Sequence, residues 1–308
     1  MIAFRRLLPE DREQFSRYFQ GIPQRSCEYA FANLAIWGRQ RVHFGKDFLL
    51  LFSQFDRSSV YPFPVGKGDL KPVLDAIIQD ARARGIPCRI TAMSQADCEA
   101  LESLYPGQFQ FHSDRDGFDY VYRIEDLATL KGKRYQSKRN YVNRFWAAHP
   151  DCQIVPITCE QLSMVWELAT AWFAQRQNAD PHSDLVLEEV ALDRTLRGWN
   201  ALGFEGLMLV EKNQPLAMAI GSPLSETVFD IHFEKALDSV DGAYAAINQA
   251  FAQHLQEKYP QLQYLNREDD LGLPGLRKAK LSYHPDHLAE KYWARLWEDD
   301  DELSASDF

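Results

Sequence analysis

The sequence predicts a protein of the α/β or α+β class, built from helices and strands that alternate along its 308 residues. Two observations support this class. Apolar residues follow helical spacing in some segments and form short strand-like runs in others. In addition, the order helix, strand, helix, strand occurs twice, and the main helix starts 19 residues before its strand each time, at 69 and 88 and again at 243 and 262. The residues of the two segments do not match, so they indicate either a structural duplication or two ordinary α/β segments.

The first of the two segments begins with an amphipathic helix. Apolar residues from Leu70 to Ala81 recur at helical spacing and predict a helix over 69–84, which Gly85 and Pro87 end. The elements predicted after it are a strand over 88–92, a helix over 95–104 and extended segments over 109–124.

The second half gives a longer series of signals. Apolar spacing predicts two helices, and apolar runs separated by turn residues predict three strands before the second of the repeated segments. The predicted helices are 160–176, 185–199, 243–259 and 274–282, and the predicted strands are 206–211, 216–221, 227–233, 262–265 and 287–296. Two helices, three antiparallel strands and then helix, strand, helix, strand is the element order of the GNAT acyltransferase fold.

Composition and charge exclude several classes of protein. With 45% hydrophobic and 25% charged residues the chain is globular, and its net charge of −10 disfavours nucleic acid bound over the whole surface while leaving room for a local basic patch. The apolar runs have strand length, far below the roughly 20 residues of a membrane span. The N-terminus lacks an apolar signal core. Five cysteines without a CxxC pair suit reduced thiols, so we expect a cytoplasmic protein without a zinc site.

A basic cluster over 131–144 has six basic residues and no acidic residue, against the sign of the whole chain. Such clustering points to an anionic ligand, a phosphate or a carboxylate. On a helix that begins near 135, Lys138 falls on the apolar side. The alternative is a solvated linker helix whose Lys138 extends its ammonium group to water. The candidate anion-binding residues are Lys138, Arg139, Asn140, Asn143 and Arg144.

A second polar cluster, over 266–285, begins where a strand ends and continues into a helix. Both places favour ligands in α/β sheets. Three carboxylates precede a Pro/Gly turn and three cations follow it, which suits a general base together with an anion clamp, with a capped, solvated loop as the alternative. The row of acids does not by itself predict a metal site. The candidates are Asn266, Glu268, Asp269, Asp270, Arg277, Lys278 and Lys280.

The strand near 230 and the turn after it contribute less specific signals. Asp230, His232 and Glu234 alternate, so we expect them on one face of a strand. His232 could act as a base, but a strand histidine held by hydrogen bonds is the favoured interpretation. The turn before the 243–259 helix has Gly242 alone, whereas the GNAT fold normally binds the pyrophosphate of coenzyme A with a glycine-rich turn.

Two long strings, residues 133–145 and 266–280, resemble the signature of an uncharacterised bacterial family related to the C-terminal domain of phosphatidylglycerol lysyltransferases. Shorter strings at 61–66, 119–122, 283–285 and 290–292 extend the resemblance over nearly the whole chain. It implies two GNAT-like domains with mixed, mostly antiparallel sheets flanked by helices. The predicted boundaries are an N-terminal domain over 1–130, a basic linker helix over 131–150 and a C-terminal domain over 151–308.

The lysyltransferase relatives move an aminoacyl group from a charged tRNA to a lipid head group. No part of this sequence matches their membrane domain, and the acidic charge disfavours an anionic bilayer, so we expect neither lipid transfer nor stable membrane insertion. The prediction is an acyl- or aminoacyl-transferase-like protein that acts on an amine or hydroxyl of a small molecule or peptide. Aminoacyl-tRNA is preferred over acyl-CoA as the donor because the glycine-rich turn is missing, and no tightly bound cofactor is expected.

The expected chemistry gives roles to the candidate residues. Glu268, Asp269 or Asp270 would act as the base or bind the acceptor, and Tyr283 would donate a proton to the leaving group by analogy with GNAT enzymes. The asparagines and cations of the two clusters would bind the donor, with salt-dependent phosphate contacts if the donor is tRNA. The alternative from another class is a non-catalytic sensor that binds an anionic metabolite on a degenerate acyltransferase fold.

Overall fold

Two mixed β-sheets organise the chain, and each is the centre of one compact unit. The structure is a computed structural model that describes residues 1–22, 26–38, 40–54, 58–179 and 185–297. The first unit consists of Met1–Arg25, Arg39–Arg115 and Glu290–Phe308, and the second of Ser26–Gly38 and Asp116–Ala289. Within the described residues, no helix is long and apolar enough to cross a membrane.

The helices and strands are numbered in chain order. The strands are β1 (Arg5–Arg6), β2 (Gln40–Phe44), β3 (Phe48–Gln54), β4 (Ser59–Pro62), β5 (Val65–Gly66), β6 (Arg89–Met93), β7 (Phe109–Ser113), β8 (Asp119–Arg123), β9 (Gln153–Pro156), β10 (Glu205–Glu211), β11 (Gln214–Pro223), β12 (Val228–Ala236), β13 (Tyr264–Asn266), β14 (His287–Ala289) and β15 (Tyr292–Leu296). The α-helices are α1 (Arg12–Arg17), α2 (Phe31–Trp37), α3 (Leu70–Arg84), α4 (Gln95–Leu104), α5 (Ile124–Thr129), α6 (Gln136–Ala148), α7 (Leu162–Ala179), α8 (Leu185–Arg197), α9 (Trp199–Leu202), α10 (Ala243–Lys258) and α11 (Pro274–Leu281).

The sheet of the first unit has the strand order β1-β2-β3-β4-β6-β15-β7, with β5 beside β3. Among its described strands, β4 and β6 form the one parallel pair. Helix α3 packs its apolar side, including Leu74 and Ile77, on this sheet. The helix forms where the spacing predicts it, because the Asp69 side chain accepts from a backbone N–H of the first turn and Gly85 ends the helix in a left-handed conformation.

The sheet of the second unit has the strand order β14-β8-β13-β12-β11-β10-β9. In the described part of this sheet, β12 and β13 are the one parallel pair. Helices α5 and α10 form the core with this sheet, α6 packs on α10, and α7 packs on β11 and β12. The predicted fold class, with mixed and mostly antiparallel sheets flanked by helices, is confirmed. One parallel pair in each sheet also agrees with a structural duplication.

The predicted domain boundaries at 130 and 150 do not coincide with the two units. The extended segment over 109–124 divides between β7 in the first sheet and β8 in the second, and the segment over 287–296 divides between β14 and β15 in the same way. The predicted linker helix is α6, which belongs to the second unit. Hydrophobic periodicity identifies a strand, but the sheet that it joins depends on partners far away in the sequence.

Candidate active site

The parallel strands β12 and β13 diverge soon after they pair. Their register covers three residue pairs and ends at Asp230 with Asn266. Beyond this point β12 continues to Ala236, whereas the chain after β13 stays bonded to β8, since the N–H of Arg267 donates to the Tyr120 carbonyl at 2.9 Å. We call the opening between the diverging chains the strand fork. Open sheets commonly bind ligands at the carboxyl ends of their parallel strands.

An ion pair between Glu234 and Arg267 spans the strand fork. Arg267 Nη2 donates to Glu234 Oε1 at 2.8 Å, and each side chain is 12% exposed. Glu234 Oε2 accepts from Nδ2 of Asn248 on α10 at 2.9 Å. Two buried atoms at this place, Arg267 Nη1 and Asn248 Oδ1, have no hydrogen-bond partner within the part of the chain that the structure describes. The fork therefore presents one donor and one acceptor that these residues do not satisfy.

Lys138 of α6 lies at the same place. Its Nζ is 3.8 Å from the centre of the Tyr283 ring, and the Arg267 guanidinium is 4.9 Å from that ring. The pKa of Lys138 falls to about 8, mainly because of burial and further because of the Arg267 charge, with Glu234 acting in the opposite direction. A lysine with a pKa near neutrality can both take up and release a proton during a reaction.

Helical spacing explains how Lys138 comes to face the interior. It lies four and seven residues before Val142 and Phe145, which are the buried residues of α6, so the predicted placement on the apolar side is confirmed. Tyr283, which follows α11, is buried as well. Burial raises the pKa of Tyr283 and the Glu234 charge adds to the rise, so the phenol stays protonated at neutral pH. Its role as a proton donor stays a prediction.

A β-bulge re-orients the second half of β12. The pairing with β11 shifts between Ile220, which pairs with Phe233, and Gly221, which pairs with Ile231, so His232 is one extra residue in β12. The prediction that Asp230, His232 and Glu234 share one face is therefore wrong, since an extra residue exchanges the two faces of the strand beyond it.

The contacts of the residues after the bulge agree with this exchange. Glu234 faces α10 through Asn248, whereas Lys235 faces α7 and α8. Its Nζ lies 2.8 Å from Glu188 Oε1 and 3.4 Å from the centre of the Trp172 ring. Burial lowers the pKa of Lys235 to about 8 even with Glu188 beside it. No pattern in the sequence indicates this second lysine with a lowered pKa.

His232 stands at the centre of a second buried cluster. Its Nδ1 lies 3.1 Å from Glu268 Oε1 and 3.6 Å from Asp230 Oδ2, and its Nε2 lies 2.8 Å from Ser222 Oγ. The His232 side chain is 2% exposed, which agrees with the interpretation as a strand histidine held by hydrogen bonds. Glu268 also accepts from Asn33 at 3.4 Å, and its positive φ of 54° is a strained backbone conformation of the kind found at functional sites.

Two groups of side chains in the second unit have donor atoms suited to a cation. Asp230, His232 and Glu268 place one such atom each within 4.8 Å of the others, and a second group is Cys27, Glu28 and Asp119. Carboxylates and an imidazole would suit a divalent metal ion or an ammonium group. The expectation that the protein has no metal stays a prediction.

The predicted base Asp270 has a structural role. It is fully buried, and it accepts from Arg277 at 2.8 Å, from the Tyr120 hydroxyl at 2.5 Å and from the N–H of Gly272. The Arg277 guanidinium, above all, holds the pKa of Asp270 well below its usual range. Arg277 also pairs with Asp116, so this predicted phosphate ligand is committed to protein carboxylates. Charge pattern in a sequence shows which residues could pair but not whether they do.

Two further candidates hold the chain between β13 and α11. Lys280 Nζ donates to the backbone carbonyls of Arg267 at 2.5 Å, of Glu268 at 3.1 Å and of Asp269. Asn266 donates to Asp119 at 2.9 Å and accepts from the N–H of Glu268 at 2.8 Å. Both residues therefore fix the loop that carries Arg267 and Glu268, and they are not placed to bind a donor phosphate. Asp269 is half-buried.

The other predicted donor-binding residues lie apart from Lys138. Arg139 donates to the carbonyls of Leu130 and Gly132, and Arg144 forms an exposed ion pair with Asp241 at 2.9 Å. The remaining candidates, which are exposed, are Asn140, Asn143 and Lys278. The basic cluster thus provides one inward lysine and an outer, solvent-facing surface.

The turn that precedes α10 is in close contact with α6. Gly242 is the N-cap residue of α10 with φ 79°, and a Cβ at this position would overlap the backbone carbonyl oxygen of Tyr141. Glycine is therefore required here for the close approach of two helices. In the GNAT fold this turn binds pyrophosphate, and here a carbonyl oxygen of α6 faces it.

Comparison with known proteins assigns the family. Residues 19–295 match the family described as phosphatidylglycerol lysyltransferase, C-terminal. The chain belongs to this family. A conserved protein of unknown function from Bacteroides thetaiotaomicron is 37% identical, with a TM-score of 0.91 over 96% of this chain and all of that one. The family resemblance deduced from the two long strings is confirmed, and the assignment supports aminoacyl transfer as the general class of activity.

Two more distant relatives extend the comparison. The structure of L-PGS from Bacillus licheniformis shares the fold at 16% identity, with a TM-score of 0.66 over 96% of this chain and 94% of that one. A curated uncharacterised protein of Mycoplasmoides gallisepticum is 21% identical over 211 residues, which are 67% of this chain and 64% of that protein. The match thus covers less than two thirds of that relative.

Three residues of the strand fork are not predicted from the sequence. Arg267 lies inside the second polar cluster without a predicted role, Glu234 is predicted on the face of His232, and no pattern marks Asn248. An arginine directly after a short parallel strand is the one available signal. Its ion-pair partner Glu234 is identified only from the structure, because the bulge in β12 changes the face on which Glu234 lies.

Proposed function

We propose that this protein transfers an aminoacyl group from an aminoacyl-tRNA to an amine or hydroxyl of a small molecule or peptide, and that the reaction takes place at the strand fork. The observation that carries the proposal is the buried Arg267 Nη1, a charged donor without a protein partner among the described residues, beside a lysine whose pKa is about 8. Acyl transfer needs these two functions, a donor for the carbonyl oxygen and a group that moves protons.

Arg267 would stabilise the charge that develops on the reacting carbonyl. As the acceptor attacks, the carbonyl oxygen becomes negative, and Arg267 Nη1 can donate a hydrogen bond to it. Glu234 holds the other side of the guanidinium through Nη2 at 2.8 Å, so the free N–H has a fixed direction. Such a donor needs little reorganisation during the reaction.

Lys138 would move the proton. In its neutral form Nζ takes a proton from the attacking amine or hydroxyl while the new bond to the carbonyl carbon forms. The ester bond to the tRNA ribose then breaks, and a proton passes from Lys138, or from Tyr283 with Lys138 reprotonating it, to the leaving ribose oxygen. The protein therefore ends each cycle with the same number of protons with which it began. The chain needs no tightly bound cofactor for these steps.

The donor preference rests on α6 and its surroundings. The Tyr141 carbonyl faces the turn that would bind the pyrophosphate of coenzyme A, which is unfavourable for an anion. The outer surface of the basic cluster exposes Lys131, Lys133, Asn140 and Asn143, which suits the phosphates of a large polyanion. Aminoacyl-tRNA therefore fits better than acyl-CoA, and the proposal places the reaction in the cytoplasm, where charged tRNA is found.

Glu268 would bind the acceptor. It has two oxygens, it is 23% exposed, and His232 and Asp230 lie beside it. A carboxylate group of this kind can bind an acceptor ammonium, which releases one proton to solvent before the neutral amine attacks and Lys138 takes the next. Glu268→Gln would then raise the KM of an amine acceptor more than it lowers kcat.

The test follows the label on bulk tRNA charged with radiolabelled amino acids, in the presence of a mixture of small amines and peptides. We expect label transfer by the wild-type protein and a loss of about 100-fold or more in Lys138→Ala. Lys46→Ala, an exposed lysine of the first unit, is the matched control and should retain the wild-type rate. The same assay with acetyl-CoA distinguishes the donors, because transfer from acetyl-CoA alone would overturn the tRNA preference. Tight tRNA binding without transfer of label would favour the sensor.

A further inference from the structure

The amide of Asn248 has a determined orientation. Its Nδ2 donates to Glu234 Oε2 at 2.9 Å. A carboxylate can only accept, so the amide cannot be turned over without placing two oxygens together. The Oδ1 atom therefore faces away from Glu234. It is buried, the residue as a whole is 5% exposed, and Oδ1 has no hydrogen-bond partner among the residues described. A buried acceptor in this state lowers stability, so a native protein that keeps one usually has a use for it.

Two unsatisfied groups restrict what can fill the fork. Arg267 Nη1 is an unsatisfied donor and Asn248 Oδ1 an unsatisfied acceptor, and both belong to side chains held by the same Glu234 carboxylate. A ligand that satisfies both must present an acceptor and an N–H close together. An aminoacyl ester has this pair, since its α-amino group is one carbon from the carbonyl. A simple acyl group has only the carbonyl oxygen.

We propose that Asn248 Oδ1 accepts a hydrogen bond from the α-amino group of the transferred aminoacyl group, which makes Asn248 a specificity-determining residue. This inference rests on the proposed function. An acyl-CoA also carries amide N–H groups, in the arm that ends in the thioester, and these could make the same hydrogen bond. The experiment distinguishes an N–H of the aminoacyl group from an N–H of this arm.

The experiment compares two esters of the same tRNA, one carrying an amino acid and the other carrying the matching acid without the amino group. We expect wild-type kcat/KM to be roughly 10–100-fold higher for the aminoacyl ester, because the deamino ester leaves the buried Oδ1 without a hydrogen bond. Asn248→Leu should remove most of this preference: both esters lose the support that Nδ2 gives Glu234, and only the aminoacyl ester also loses a hydrogen bond to Oδ1. Asn200→Leu, an exposed asparagine, is the control and should keep the preference.

The ratio of kcat/KM for the two esters is measured on one preparation, so partial unfolding of a variant does not change it. Asn248→Ala is a second variant that should show the same loss of preference. Equal losses on both esters would overturn the inference, because Asn248 would then act only through Glu234. Equal wild-type rates on both esters would overturn it while leaving the proposed function intact. Transfer of neither ester would refute the proposed function itself. If Asn248→Leu lowered only the rate of transfer from acetyl-CoA, the N–H bound by Oδ1 would belong to the thioester arm, and the inference would be overturned.

Discussion

Arg267 Nη2 lies 2.8 Å from Glu234 Oε1, at the place where β12 and β13 no longer share backbone hydrogen bonds. Side chains thus replace the backbone ladder between two parallel strands. An ion pair at such a position can keep the strands apart while leaving one N–H of the guanidinium for a ligand. This relationship links the topology of the second sheet to the chemistry proposed for it.

Glu234→Gln should lower both the stability of the protein and its rate of transfer. The substitution leaves the buried Arg267 charge without its carboxylate, and we expect the free energy of unfolding to fall by roughly 2–4 kcal/mol. Urea denaturation measures the change. The matched control is Asp241→Asn, which removes the carboxylate of an exposed pair with Arg144 and should leave stability unchanged. Similar unfolding curves for both variants would contradict the structural importance of the Glu234–Arg267 pair.

The rate of transfer should rise with pH through about 8. Lys138 must be neutral to accept a proton, and its pKa of about 8 means that the neutral fraction grows tenfold between pH 6 and 7 and levels off above 8. The measurement is kcat/KM from pH 6 to 9.5. In Lys138→Arg this limb should disappear, because arginine does not lose its proton in this range.

Lys235 is the control for the pH profile of kcat/KM, because its pKa is also about 8. Its folded pKa lies below the value of about 10.4 in an unfolded chain, so the unfolded state binds more protons between pH 8 and 10 and stability should rise with pH in that window. Lys235→Met should flatten this rise in stability and leave the pH profile of kcat/KM in place. Loss of the kinetic limb in Lys235→Met would show that Lys138 is not the group responsible.

Gly242→Ala should lower the free energy of unfolding by roughly 1–3 kcal/mol, since φ is 79° and the added methyl group meets the Tyr141 carbonyl. Thermal melting checks it. In Gly275→Ala, where nothing lies within 4 Å of the added Cβ, the melting temperature should stay the same or rise slightly. If Gly242→Ala were neutral, α6 would not pack against this turn as described, and the argument against a pyrophosphate site would fail.

Asp270→Asn should affect stability rather than chemistry. Arg277 holds the pKa of Asp270 below its unfolded value, so the ionised carboxylate contributes stability above pH 4 that is lost as the pH falls further. We expect a melting temperature several degrees lower at pH 7, with the difference from wild type shrinking toward pH 3. The rate per folded molecule should stay near wild type, whereas a catalytic base at this position would give a loss of about 100-fold or more.

Local signals in the sequence determined much of the architecture. Apolar spacing located α3, α7 and α10 because a helix must bury one face, and turn residues located the ends of β10 to β12. The same spacing placed Lys138 on the inner side of α6. The motif strings identified the family, since such strings preserve residue types at fixed positions even where their roles are unknown.

Only the tertiary structure decided how these pieces combine. Strand β8 joins the second sheet and β15 joins the first through pairings with strands more than 100 residues away in the sequence, which periodicity does not encode. The single extra residue in β12 turns Glu234 away from His232 and toward Asn248, and Asp270, one of the three predicted bases, is paired with Arg277. Sequence determines which side chains are available, whereas their protonation and partners depend on burial and on distances across the fold.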